Sequence, residues 1–143
     1  MSDFNIRRAD LRNERDVGLI LHADAICFAR AIKADELTGA WWLAFCGDDL
    51  AGYAGIKPST QWQATGYLCR AGVVPEYRGF GLQKRLIRVR LAHAKASGWA
   101  WVVSDTHNSP QSSNSLIACG FRMYSPTKPW WKSRTAVYWR KRL

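Results

Sequence analysis

The strongest chemical pattern runs from Val73 to Lys84, Val-Val-Pro-Glu-Tyr-Arg-Gly-Phe-Gly-Leu-Gln-Lys, where an apolar strand passes through a glycine turn into a helix start. Backbone N–H groups at a helix N-terminus point outward along the positive end of the helix dipole, so such a turn suits an anion. Gly79 and Gly81 lack the side chains that would hold phosphate oxygens away from those amides. A pyrophosphate matches that nest; a tight turn without a ligand is the other reading of a lone Gly-x-Gly. The segment lacks the third glycine of Gly-x-Gly-x-x-Gly and the Gly-Lys-Ser/Thr of a Walker loop, so dinucleotides and nucleoside triphosphates recede.

Such a turn works only if regular elements hold it. Residues 4–8 alternate like a strand, and Asp10 is expected to cap a helix over 11–28 that buries Val17, Ile20, Leu21, Ala25 and Phe28. Strands are expected over 41–45 and 51–56, joined at Gly47-Asp48-Asp49, and again over 65–74. Leu82, Leu86, Val89 and Ala92 then recur at helical spacing up to Ser97, with Gly98 as the stop. A short strand over 99–103 follows, then a helix opened by Pro110 and ended by Gly120, and strands near 121–124 and 135–140. The order β, α, ββ, β, α, β, α, β, β describes an α/β chain with a mixed sheet.

At 143 residues the chain matches one domain, read here as 1–143, and its 48% hydrophobic content with eight Trp excludes disorder. Lysine and arginine exceed the acids by 21 to 11, and the resulting +10 attracts polyanions: phosphorylated cofactors, nucleic acid or anionic membranes. The longest apolar run, residues 40–46, is far short of the ~18 that a membrane span needs, and Met-Ser-Asp-Phe is no leader, so a cytoplasmic protein without membrane attachment is expected. Cys27, Cys46, Cys69 and Cys119 form no Cys-x-x-Cys pair and have no metal-ligand spacing, so reduced thiols are expected and neither a metal nor a disulfide.

Arg78-Gly79-Phe80-Gly81-Leu82-Gln83 resembles motif A of the GNAT superfamily of acyl-CoA-dependent N-acyltransferases, Arg/Gln-x-x-Gly-x-Gly/Ala behind a strand ending in Val-x-Pro, here Val73-Val74-Pro75. Gln83 departs from the small residue usual there. Asn108, Ser112, Asn114, Leu116 and Gly120-Phe121 resemble the family's motif B, an Asn-led loop opening a helix that ends in Gly-Phe. The resemblance covers about residues 4–142. It implies a single-domain α/β fold: a mixed, mostly antiparallel sheet with a splayed central strand pair, flanked by helices. The implied activity is transfer of the acetyl group of acetyl-CoA to a primary amine. In a ternary complex the amine attacks the thioester directly, and a backbone N–H near Val73 holds the oxyanion.

Carried over residue by residue, the resemblance sets the pantetheine along the backbone of Ala71, Gly72 and Val73. The pyrophosphate lies on the N–H groups of Gly79, Phe80, Gly81, Leu82, Gln83 and Lys84, with charge from Arg78, Lys84, Arg85 and Arg88. Asn108 matches a position that hydrogen-bonds the cofactor or a water. The positions of the usual Glu base and Tyr acid hold Cys69 or Arg70 and Leu116. Asp105 and His107, just after the strand 99–103, are therefore the catalytic candidates. An imidazole of ordinary pKa ~6.5 accepts a proton at neutral pH, whereas an aspartate must be raised by burial or orient a water. The competing readings are an Asx turn for Asp105 and a packed loop imidazole for His107.

Trp130 and Trp131 either wall the acceptor site or pack on the core edge, and Tyr124 is a proton donor or a packed ring. His22 and His93 are expected at surface or edge positions. The acceptor, a small-molecule or peptide amine, is left unnamed, and homodimerisation stays open. Two other classes stand beside this one: a basic nucleic-acid-binding module, and a GNAT-fold acyl-CoA binder without turnover. Clustering of the basic residues at the glycine turn and at Arg140-Lys141-Arg142 disfavours the nucleic-acid class.

Overall fold

A computed structural model describes residues 3–143; Met1 and Ser2, on which the expectation about a leader partly rests, lie outside the described residues. Strand β1 (Phe4–Arg8) leads to helix α1 (Glu14–Cys27), and β2 (Ala40–Cys46) and β3 (Asp49–Pro58) follow. Next come β4 (Thr65–Val73), α2 (Leu82–Ala96), β5 (Trp101–His107), α3 (Pro110–Ala118), β6 (Arg122–Tyr124) and β7 (Ala136–Arg142). The strands form one sheet in the order β1-β2-β3-β4-β5-β7-β6. Every neighbouring pair is antiparallel except β4 and β5, which helix α2 joins as a parallel crossover. No helix among the described residues is long and apolar enough to cross a membrane.

Period-2 alternation sends successive side chains to opposite faces, and each face has its own core. On one face α2 and α3 cover Trp42, Ile56, Leu68, Val102 and Trp139, with Ile87 and Leu116 from the helices. On the other, α1 supplies Ile20 and Ala23 to Trp41, Leu43 and Tyr53. Sheet and helices together bury residues that no single element could remove from water.

Several expectations need correction. Helix α1 is capped by Asn13, whose side chain accepts from the N–H groups of Arg15 and Asp16, while Asp10 instead accepts from the N–H of Arg12 ahead of the helix. The buried face of α1 holds Asp16, Ile20, Ala23 and Asp24, whereas Ala25 and Phe28 are exposed. Periodicity misses this because it ranks an aspartate as polar, and here each buried aspartate meets an arginine from elsewhere in the chain: Arg7 for Asp16, Arg70 for Asp24. Strand β5 runs on to His107, so Asp105 and His107 lie within a strand, not after it. Its polar second half stays extended because β7 pairs with all of it, from Trp101↔Arg142 to His107↔Ala136. Arg140, Lys141 and Arg142 are part of β7, and the Arg140 guanidinium lies over the rings of Trp62, Trp101 and Tyr124. His93 is half-buried between Trp42 and Trp99, and burial holds its pKa below the ordinary value.

Candidate active site

Strands β4 and β5 pair only at Thr65↔Trp101, Gly66↔Val102 and Tyr67↔Val103. Beyond that point they diverge: β4 continues along β3 and β5 continues along β7, leaving the inner edges of Leu68–Val73 and Ser104–His107 facing a gap. A bulge helps to open it. Ala54 pairs with Ala71 and Ile56 with Leu68, so Cys69 and Arg70 together stand opposite Gly55. The carbonyl of Gly55, opposite the bulge, accepts from Arg90 Nη1 of α2 at 3.1 Å. Arg90 is almost wholly buried with no carboxylate paired to it among the described residues, and desolvation holds its pKa down at about 10.

The gap is a cleft of about 510 Å³ that passes between the strands and is therefore lined from both faces of the sheet. From the α2 and α3 side come Gln83, Ile87, Ser112 and Leu116, and from the α1 side Phe28, Arg70, Asp105, His107 and Trp131. Gln83 Nε2 donates to Ser112 Oγ at 3.1 Å and ties the two helices together at the rim. Leu116 is buried and gives the cleft an apolar wall on the α3 side.

At the upper end of β4 the chain turns through Gly79 (φ +86) and Gly81 (φ +81), a region that side chains rarely enter, and a Cβ at either would meet nothing within 4 Å. Their glycine character therefore serves the backbone conformation and the open space beyond it, not internal packing. Helix α2 has no side-chain cap and no acid in its first turn. Among the described residues none of the backbone N–H groups from Gly79 to Lys84 finds an acceptor; the first satisfied one is Arg85, which donates to the Gly81 carbonyl. A run of unpaired amides at a helix start has the geometry that suits an anion. Two of the basic side chains look elsewhere: Arg78 Nε donates to the Val73 carbonyl at 2.9 Å and Arg85 Nη2 to that of Phe4 at 3.2 Å. The Leu82 side chain is buried, so only its N–H faces the turn.

Asp105 and His107, two apart on β5, share a face and meet: His107 Nε2 lies 2.9 Å from Asp105 Oδ2. The other carboxylate oxygen accepts from Tyr67 Oη at 2.6 Å and from Trp130 Nε1 at 3.2 Å. Asp105 is 9% exposed and His107 36%, so the imidazole is the member that faces solvent. Burial, then the charge of Asp105, pushes the Tyr67 hydroxyl well above the ordinary tyrosine range, which fixes it as a donor. Trp131 packs edge-on against His107 with ring centroids 5.1 Å apart. Trp131 lines the cleft, and Trp130 braces Asp105 from behind it. Tyr124 does neither, its hydroxyl being buried without a partner among Trp62, Tyr138 and Arg140. Asn108 is exposed in a left-handed turn (φ +48), and Ser109, not Asn108, caps α3.

Asp24, Tyr53 and Arg70 form a unit that no motif in the sequence marks. Asp24, fully buried, accepts from the Tyr53 hydroxyl, from Arg70 Nε at 2.8 Å and from the N–H of Ile32 at 2.6 Å. An aspartate inside an otherwise apolar helix face was the available signal.

The family model for the acetyltransferase (GNAT) family matches residues 7–121. The chain belongs to the GNAT acetyltransferase family. Acetyl-CoA is the cosubstrate of this family, and the open glycine turn with its unpaired amides fits the phosphates of that molecule. Solved GNAT structures share the fold along the whole chain. The Escherichia coli ribosomal-protein-S18-alanine N-acetyltransferase has a TM-score of 0.77 at 13% identity, covering 98% of this chain and 94% of that one. A Bacillus subtilis acetyltransferase in complex with CoA has a TM-score of 0.75 at 21% identity, covering 99% of each chain. The GNAT acetyltransferase from Streptococcus pneumoniae scores 0.75 at 15% identity, covering 99% and 100%. Among curated proteins no sequence matches the chain.

Proposed function

We propose that this GNAT acetyltransferase acetylates a primary amine by direct attack, with His107 as the base and Asp105 as its positioning residue. The observation that carries the assignment is the Asp105–His107 contact within the splay of β4 and β5. A carboxylate only accepts, so the imidazole nitrogen on Asp105 carries the proton and Nδ1 is the acceptor nitrogen. His107 takes a proton from the incoming ammonium, and Asp105 stabilises the imidazolium, as a buried carboxylate does behind a catalytic histidine. Tyr67 and Trp130, both donating to the far oxygen, keep the carboxylate from turning.

The cosubstrate lies with its phosphates on the amides of Gly79 to Lys84 and its pantetheine along Ala71, Gly72 and Val73. The Val73 carbonyl, already held by Arg78, anchors the strand end. Gln83 and Ser112, joined at the rim, border its path. Catalysis is then mostly approximation of the two reactants, with backbone N–H groups of β4 near Val73 stabilising the oxyanion.

The test measures CoA release with amine acceptors for the wild type, His107→Gln and Asp105→Asn. Loss of the base lowers kcat by about 10²–10⁴-fold and leaves acetyl-CoA affinity unchanged. Asp105→Asn lowers kcat and changes the acid limb of the pH profile, which a purely structural role would not do. An effect of about tenfold or less from both variants leaves positioning and backbone polarisation as the whole mechanism.

A further inference from the structure

On the basis of that acyl-transfer reading, we infer that the acceptor is an amine carrying its own carboxylate, a free amino acid being the simplest case, and that Arg70 receives the carboxylate. The inference comes from the hydrogen-bonding capacity that the cleft walls leave unfilled. Asp105, the carboxylate on those walls, has both oxygens taken by Tyr67, Trp130 and His107. Asp24, behind the wall and fully buried, is filled by Tyr53, Arg70 and Ile32. Asp35 and Glu36, in the turn after α1, do not line the cleft, and Glu36 accepts from the N–H of Lys33. An acceptor with several ammonium groups therefore meets, among the described residues lining the cleft, no carboxylate with room for it.

Donors are in the opposite state. Arg70 is clamped along one edge by Asp24 through Nε, its Nη2 donates to the Arg30 carbonyl, and the Phe28 ring covers its guanidinium at 4.2 Å. Its Nη1 has no partner among the described residues, and the side chain, 26% exposed, lines the cleft. At the cleft floor Arg90 likewise bonds through Nε and Nη1 alone, leaving Nη2 without an acceptor among the described residues. The β6–β7 loop that carries Trp131 adds Lys128, Lys132 and Arg134 and no acid. A guanidinium locked by a buried aspartate has lost its rotamer freedom beforehand, so its remaining N–H groups bind a carboxylate at little further entropic cost. Phe28 and Trp131, on the same side, give the acceptor's carbon frame an apolar and aromatic seat.

Matched pairs of acceptors test this: phenylalanine against 2-phenylethylamine, tryptophan against tryptamine, and spermidine as the polycation, each with acetyl-CoA and the full chain. Wild type, Arg70→Met and Arg70→Lys are compared by the kcat/KM ratio within each pair, so that any general damage to the fold cancels. A charge-assisted bond favours the acid member by about 10–100-fold in wild type. Arg70→Met brings that ratio close to parity by raising KM for the acid, and Arg70→Lys restores part of it. Equal or better turnover of the decarboxylated members or of spermidine overturns the assignment, as does a ratio that Arg70→Met leaves intact. Acetyl-CoA binding without acetylation of any acid member also overturns it. Failure to bind acetyl-CoA at all instead refutes the acyl-transfer reading beneath it.

Discussion

Gly81 separates what the glycine turn does for the fold from what it does for a ligand. With φ at +81 and nothing within 4 Å of a Cβ, Gly81→Ala suffers no clash, only backbone strain. That strain costs roughly 1–2 kcal/mol, partly offset by about 0.4–1 kcal/mol of lost unfolded-state entropy. The melting temperature of the ligand-free variant therefore falls by about 2–4 °C. Gly81→Asp is milder for the free protein, because Asp tolerates the left-handed region better and its carboxylate lies at the positive end of α2, worth about 0.3–1 kcal/mol. With acetyl-CoA the order reverses. A carboxylate about 4 Å from a phosphate at an effective dielectric near 20 costs ~4 kcal/mol, which raises the dissociation constant by about 10³-fold. At a ligand concentration about 100 times the wild-type dissociation constant, linkage supplies about 2.7 kcal/mol to the wild type and almost nothing to Gly81→Asp. Thermal melts monitored by fluorescence, with and without acetyl-CoA, read this as a rise of about 5–11 °C in the wild type and almost none in Gly81→Asp. A Gly81→Asp protein that keeps the wild-type rise would refute the placement of the phosphates on these amides.

Three further outcomes follow from buried polar contacts. Arg7, through its side-chain hydrogen bonds, holds the Asp16 carboxyl down at about 2, so this stabilisation is complete above the unfolded pKa near 3.8 and disappears as pH falls from there towards 2. Because Arg7 is half-exposed, the contribution is discounted to about 1 kcal/mol, and Arg7→Ala should flatten acid unfolding curves over that interval. Tyr53→Phe removes a donor from fully buried Asp24 and should lower denaturant-melt stability by about 1.5–3 kcal/mol. Arg90→Met strands the Gly55 carbonyl opposite the β4 bulge but also removes a buried charge without a carboxylate partner; the two effects oppose, giving a net change within about 2 kcal/mol, and a larger loss would mean that the cation itself supports the splay.

Local chemistry was legible in the sequence. The helix-period spacing of Leu82 and Leu86, the glycines of the turn and the alternation of β1 depend on neighbours a few residues away, so the chain carries them in plain form. The order of elements, and through the resemblance of residues 78–83 the family, followed from the same local patterns. Three things were decided by tertiary contact. Strand β5 extends over polar Asp105 and His107 because β7 pairs with it from a distance in sequence, and no periodicity over 101–107 reveals that partner. Asp16 and Asp24 lie inside α1 because arginines from β1 and β4 neutralise them, whereas a hydropathy pattern can only place charges outside. The cleft is the third: β4 stops pairing with β5 after Tyr67 because it stays with β3 while β5 stays with β7. Residue types and local spacing thus set the elements and the open glycine turn. The meeting of Tyr67, Asp105, His107 and Trp130, and the locked guanidinium of Arg70, depend on where separate strands and loops come to rest against one another.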